Sequence, residues 1–384
     1  MKETKVKKTS PSRFWKWMKR LLLLVIVSII IALLLLKFRT QNMARLTDTA
    51  LRPIFGPRIV LFLEKTYFNA SDRLEMMTTD QSSVQAPQFL NQADPIATVE
   101  SNLSLDAIAP NGSFPVLAEE GVWHNHPLSL FPGKEIMAYT FVRPDPKRSY
   151  ALTTLLQIDS SAVRMGSVAG KEQPGGPVGK PGPGLIPSNI IESGKLVAAF
   201  DGGFQYRDGA YGMIVGNTTY LPLKNDLGTV VGYQDGSLKI VRYSGQVLGD
   251  KVAFVRQNCP ILIEHGEVTV SDERNKTLWG RLAKGTVDIY TWRSGLGLTK
   301  EGNIIFAVGN NLTPQTLADA LKMGGAVDAI QLDINPIWVR FNIFEPTDTL
   351  GQYTSSTLTK ELQDGSKEYL QGYSKDFFYL YARS

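Results

Sequence analysis

The stretch Val197-Ala198-Ala199-Phe200-Asp201-Gly202-Gly203-Phe204 decides how this chain is read. A short apolar run closed by a turn signal is the pattern of a buried strand, and this one stops at a carboxylate followed by paired glycines. Glycines at such a turn permit positive φ and let a ligand approach the backbone closely. Outward from it the texture remains that of strands joined by glycine-rich turns. Apolar and polar residues alternate over Met137 to Val142, Leu152 to Ile158, Tyr211 to Leu221, Val230 to Tyr243 with an Asp235-Gly236 hairpin turn, Val252 to Val270, and Ile304 to Val308. Lys171 to Pro187, rich in Pro and Gly, reads as a loop between two strands. The clearest helix has Thr313 as N-cap, Pro314 at the first helical position, Leu317 and Leu321 one turn apart, and Gly324-Gly325 as its stop. A short apolar strand, Ala329 to Leu332, then ends at Asp333. The expected fold class over residues 121–384 is α+β, with a mostly antiparallel β core and few helices.

The chain before this domain is organised differently. Residues 79–120 are polar and short of aromatics, with Pro87, Pro95, Pro110 and Pro115, and read as an extended linker. Residues 39–78 carry a rough helical stripe (Leu46, Leu51, Ile54, Val60, Leu63, Tyr67) broken at Pro53 and Pro57, as expected of a juxtamembrane stalk or a clasp on the main domain. Leu21 to Leu36 is free of charge, and as a helix it spans about 24 Å. Trp15, Trp17, Met18 and Phe38 extend its apolar length, while Lys19, Arg20, Lys37 and Arg39 reach the interfaces. Eight Lys/Arg precede the run and no small-x-small cleavage site follows Leu36 directly. The expectation is a basic cytoplasmic tail over 1–20, an uncleaved transmembrane anchor in the lipid bilayer over 21–38, and an extracytoplasmic remainder.

Composition narrows the function classes. With 43% apolar and 20% charged residues in 384, wholesale disorder is excluded. The net charge of +5 is a tail effect: residues 1–45 hold eleven Lys/Arg against Glu3 alone, a net of +10, which leaves −5 for the rest. No nucleic-acid partner is expected of a folded part with that balance. The one cysteine, Cys259, rules out an internal disulfide framework and a cysteine-cluster zinc site, and reads as a buried small residue. Neither a phosphate-binding P-loop, a dinucleotide fingerprint, nor a Gly-x-Ser-x-Gly elbow can be written anywhere in the chain.

Four places put polar groups where strands meet tight turns. Asp201 precedes Gly202-Gly203; Arg293 lies in Thr291-Trp292-Arg293-Ser294-Gly295-Leu296-Gly297-Leu298; Asp333 precedes Ile334-Asn335-Pro336; and His124 and His126 alternate along Trp123-His124-Asn125-His126. A guanidinium such as that of Arg293 forks onto a phosphate or carboxylate, or pairs with a buried acid. Asp-Gly-Gly and Asn-Pro are also common turns, so each acid taken alone has a structural reading. The histidine pair lacks a third ligand at recognisable spacing. No cofactor is expected, and the need for a divalent cation stays open.

The order of these motifs resembles the phosphodiester glycosidase family. The family pattern is a strand ending in Asn-Gly-Gly-Phe, an Arg-x-x-x-Gly strand, a helix ending in Gly-Ala and a strand ending in Leu-Asp followed by glycines. Residues 198–204, 292–298 and 303–333 follow that layout, and the resemblance runs over 121–384. It extends to a membrane-anchored bacterial branch with a Ser-x-Asp-Phe-Phe strand, here Ser374 to Phe378. Two positions depart from the pattern: Asp201 stands in place of Asn, and Ile334-Asn335-Pro336 replaces three glycines, which would fill or reshape a pocket floor.

What the resemblance implies is hydrolysis of the bond between a sugar's anomeric carbon and a phosphodiester in envelope or exopolysaccharide material. An oxocarbenium-like centre asks for carboxylates beside the sugar and a cation beside the departing phosphate. Asp201, Asp333 and Arg293 are the implied catalytic residues, with Gly202, Gly203, Arg207 and Asn335 as substrate contacts. Two alternatives belong to other classes: a non-catalytic module that binds a sugar-phosphate polymer in the same cleft, and a structural partner of envelope-synthesis machinery using the juxtamembrane helices.

Overall fold

The strand Leu196–Asp201 is buried along its whole length and lies at the centre of a five-stranded antiparallel sheet. The computed structural model describes residues 69–70, 72–79, 84–88 and 100–383 except 177, 271–278 and 280–289, together with Trp15, Trp17, Met18, Leu22, Ile54, Gly56 and Ile59. The chain divides into two compact units, Met1–Tyr67 and Phe68–Ser384. In the first, the described positions are helical. The spanning segment expected at 21–38 lies outside the described residues apart from Leu22. Among the described residues no helix is long and apolar enough to cross a membrane.

The second unit is built in layers. In the five-stranded sheet Leu196–Asp201 lies between Phe341–Pro346 and Phe377–Ala382, with Tyr353–Thr357 and Val163–Val168 at the edges. An eight-stranded antiparallel sheet faces it, with Thr291–Thr299 between Ala326–Ile334 and Ile304–Leu312 near its middle. A second five-stranded sheet, centred on Val252–Gln257, closes one side. The sheets meet over a phenylalanine cluster: Phe200 lies 5.3 Å from Phe341, 5.4 Å from Phe306 and 5.5 Å from Phe378, centroid to centroid. Each such ring removed from water contributes about 1.5–3 kcal/mol.

The helix Pro314–Met323 covers the other face of the large sheet through Leu317 and Leu321. Its N-terminus is capped as expected, Thr313 accepting from the Thr316 N–H while Thr316 returns a bond to the Thr313 backbone. Gly295 faces this helix, and a Cβ there would lie 2.9 Å from Leu321. The expected strand 329–332 is longer than its apolar run, from Ala326 to Ile334, so Asp333 lies within it near its end.

Two segments read as peripheral are tied to the domain. Residues 72–78 are helical, and the Asp72 carboxylate accepts from Arg148 Nε at 2.8 Å and Nη2 at 2.9 Å. The Arg148 guanidinium also lies 3.5 Å from the Tyr290 ring centroid. Residues 100–120, the later half of the expected linker, pack onto the large sheet. The Gln157 amide exchanges hydrogen bonds with the backbone of Ser104, and Ile108 N–H donates to the Gly121 carbonyl.

Candidate active site

The ends of three strands and the segment 374–376 bring the polar residues together. Ser294, on the face opposite Gly295, donates to Asp201 Oδ2 at 2.6 Å and accepts from the Asp333 N–H at 3.1 Å. One hydroxyl thus joins Asp201, at the end of its strand, to Asp333 on the neighbouring sheet. Asp201 Oδ1 accepts from the Arg340 N–H at 3.0 Å. Asp333 Oδ1 accepts from the Ile334 N–H at 2.8 Å, and its Oδ2 is bound by the Lys375 ammonium. Both acids are almost wholly buried, at 3% and 2% exposure.

Burial sets the electrostatics. It pushes the Asp201 carboxyl up to about 7, and the neighbouring charge of Asp333 adds to the rise while Ser294 and the Arg340 N–H oppose it. Burial also raises Asp333, against which Lys375 acts. Lys375 loses by desolvation, but Asp333 and its other neighbours more than offset this and hold its pKa above the ordinary lysine value. The arrangement is one acid poised to hold a proton near neutrality and a second held beside a cation. Trp338 roofs that cation, its ring centroid 4.7 Å from Nζ.

Arg293 is one residue from Ser294 and therefore on the opposite face of the strand. Its Nε donates to the Leu312 carbonyl at 2.8 Å and its Nη1 to Gln331 Oε1 at 2.8 Å. Cys259 lies on this helix-covered side too, buried, with burial pushing its thiol up to about 12. Arg207 lies in the short 3-10 helix Tyr206–Asp208 with Nε 3.8 Å from Asp208 Oδ2. Asn335, at φ +86°, shapes the turn after Asp333, donating its N–H to the Trp292 carbonyl and accepting from the Ile337 N–H at its side-chain oxygen.

The paired glycines serve a purpose other than the one expected. Neither adopts a left-handed φ. What approaches the backbone closely is a buried ion pair: a Cβ on Gly202 would collide with Asp376 Oδ2, and one on Gly203 would lie 2.8 Å from Arg256 Nη2. Arg256 binds Asp376 through Nε at 2.7 Å and Nη2 at 3.1 Å, and Gly203 N–H donates to Asp376.

Ser294, Lys375, Asp376, Arg256 and Arg340 escaped the sequence reading. Ser294 and the Lys375-Asp376 pair lie inside motifs quoted for other residues, so a signal was present; Arg256 gave none. The histidines are separate from the acids. His124 stacks on Tyr139 at 5.6 Å and pairs with Glu119 at 3.3 Å, and burial pushes His126 down to about 4. Among the described residues no cluster of His, Cys, Asp and Glu is arranged to hold a metal ion.

The interval that contains Asp201, Arg293, Ser294 and Asp333 is also the one with a recognisable relative. Residues 194–333 match the phosphodiester glycosidase family model. The phosphodiester glycosidase match begins just before the strand Leu196–Asp201 and closes on Asp333. Similar solved structures include the catalytic domain of zebrafish N-acetylglucosamine-1-phosphodiester alpha-N-acetylglucosaminidase, auto-inhibited by its pro-peptide. It is 14% identical, with 68% of this chain and 88% of that chain covered and a TM-score of 0.39. A hypothetical protein from Synechocystis is 12% identical over 66% of this chain and 63% of its own, with a TM-score of 0.35. No curated protein matches the chain.

Proposed function

We propose that the protein is a hydrolase that cleaves a sugar-1-phosphodiester. The observation that carries this reading is the pair Asp201 and Asp333, joined by one hydroxyl, with the first acid raised to about 7 and the second beside Lys375. As the anomeric C–O bond breaks, a protonated Asp201 donates to the departing phosphate oxygen and an ionised Asp333 stabilises or attacks the developing oxocarbenium centre; water then adds at the anomeric carbon and returns a proton to Asp201. Lys375 favours the ionised form of Asp333 and is the cation bonded directly to an acid of the pair, whereas the resemblance implied Arg293 as the cation on the phosphate. Arg293 instead braces the strand from behind through Gln331 and the Leu312 carbonyl. The phosphodiester glycosidase match over 194–333 supports the same reaction class.

The rest of the reading is drawn from sequence. The charge-free run within 21–38 and its basic flank support a single-pass anchor with the amino terminus in the cytoplasm and residues 39–384 outside it. The substrate is then envelope or exopolysaccharide material carrying sugar phosphates, and the chain belongs with anchored bacterial members of the family. A second reading, a non-catalytic module for such a polymer, is favoured by one observation: both acids are internally bonded and nearly inaccessible.

One assay separates the two. The full chain is offered an N-acetylglucosamine-1-phosphodiester and free sugar is measured. The hydrolase releases sugar, and Asp333→Asn lowers the rate by about 10²–10⁴-fold with the fold retained. Binding of the substrate with no sugar released identifies the module.

A further inference from the structure

A cleft separate from the acids runs along the outer edge of Val163–Val168, the edge strand of its sheet. Its volume is about 150 Å³, and its walls include Arg164, Gly166, Ser167, Tyr233, Tyr379 and Tyr381. A cavity of about that volume takes one six-membered ring. Tyr379 and Tyr381 lie two apart on the strand Phe377–Ala382 and share a face. Their centroids are 5.8 Å apart and their planes 25° from parallel, so the two phenols form a stacked, offset step. Gly166 is the cross-strand partner of Tyr379, and a Cβ there would collide with the ring; the glycine lets the phenol lie down on the strand. Neither phenol hydroxyl hydrogen-bonds to another described residue.

The rim is fixed and positively charged. Arg164 Nη1 donates to the Gln234 carbonyl at 3.1 Å, and Arg383 donates to the carbonyls of Asp235 at 3.3 Å and Gly236 at 3.1 Å. Two guanidiniums therefore hold the hairpin turn in place through neutral carbonyl acceptors; the Asp235 carboxylate feels both charges but forms no ion pair with either. The acid in that turn, Asp235, turns its carboxylate to the Ser237 N–H at 2.8 Å and hydroxyl at 2.7 Å. The lining combines aromatic faces, unpaired hydroxyls and a cation. Flat C–H surface suits the first, ring hydroxyls the second and an anionic substituent the third.

We propose that this cleft binds one pyranose of an anionic glycan, its C–H face on the Tyr379–Tyr381 step and its carboxylate or phosphate at Arg164. The inference does not depend on the reaction proposed above. The full chain is titrated with glucuronate, glucose 6-phosphate and glucose, and binding is followed by ligand-observed NMR. At least one anionic sugar binds with a Kd in the millimolar range and about tenfold tighter than glucose, and whichever it is identifies the substituent. Arg164→Gln removes the preference for the anion. Tyr381→Ala weakens all binding about tenfold and Tyr381→Phe by a smaller factor, while Asp333→Asn leaves it unchanged. Equal affinity for glucose, binding indifferent to both Arg164→Gln and Tyr381→Ala, loss of binding in Asp333→Asn, or no binding of any of the three sugars overturns the proposal. Arg164 is half-buried and outside the core cluster, so its variant stays informative even where Tyr381→Ala disturbs the fold.

Discussion

Lys375 and Asp376 are neighbours in the chain, and each makes a buried ion pair, yet the two pairs differ in how completely they are satisfied. The Asp376 pair is saturated: Arg256 adds bonds to the carbonyls of Phe204, Tyr211 and Gln257, and Asp376 accepts from Gly203 besides. The Lys375 pair is sparse. Lys375 has Asp333 and the Trp338 ring, and Asp333 has in addition one backbone N–H on its carboxylate. A buried charge with every valence met is architecture, since nothing is left to give to a ligand. One held by few partners keeps capacity for another, and a raised carboxyl pKa marks the same place. The difference assigns structure to one side of a single peptide bond and chemistry to the other.

The largest test of that contrast is Arg256→Met against Lys375→Met. Removing Arg256 leaves Asp376 buried and unpaired with only the Gly203 N–H on its carboxylate, and denaturant unfolding should show a loss of about 3–5 kcal/mol. Lys375→Met should cost clearly less, because Asp333, already raised, takes up a proton, and the cost should shrink as pH falls. Equal losses at every pH would erase the distinction.

The next effect is the pH dependence carried by Asp201. Its pKa is raised from 3.8 to about 7 on folding. Its proton therefore stabilises the fold fully below about pH 4, and that contribution is lost as pH rises through 7. The shift corresponds to a loss on the order of 4 kcal/mol across that window. Asp201→Asn, which cannot ionise and still accepts from Arg340, should flatten the wild-type decline in Tm between pH 5 and pH 8. A variant as pH-sensitive as wild type would place the titration elsewhere.

The smallest test concerns the bridge. Ser294→Ala removes the donor to Asp201 and the acceptor for the Asp333 N–H, and should cost about 1–3 kcal/mol. It should also raise the Asp201 pKa further, since the hydroxyl favours the charged form, and so move any alkaline limb of a pH–rate profile upward. An unchanged profile would mean that the hydroxyl does not tune the acid.

The antiparallel core, the capped helix at Thr313 and the positions of both acids at strand ends could be read directly, because alternation, capping residues and turn residues are local signals. The strand Met137–Val142 has the boundaries its pattern gave. What could not be read was pairing across sequence distance. Asp376 and Arg256 are 120 residues apart, Lys375 and Asp333 are 42 apart, and no periodicity links them. The glycines at 202 and 203 marked a close approach correctly, but nothing local distinguishes a ligand from the protein's own carboxylate. Arg293 illustrates the remaining gap: strand parity puts it on the face opposite Ser294, and the side facing the acids depends on which sheet covers which face.

The roof over Lys375 has a practical use. An indole 4.7 Å from an ammonium group emits in the field of that charge. Neutralising the lysine, or drawing it toward an incoming anion, will shift the colour of Trp338 fluorescence. With the other tryptophans replaced by phenylalanine, the protein carries an intrinsic optical gauge of a buried cation, readable before any substrate has been identified.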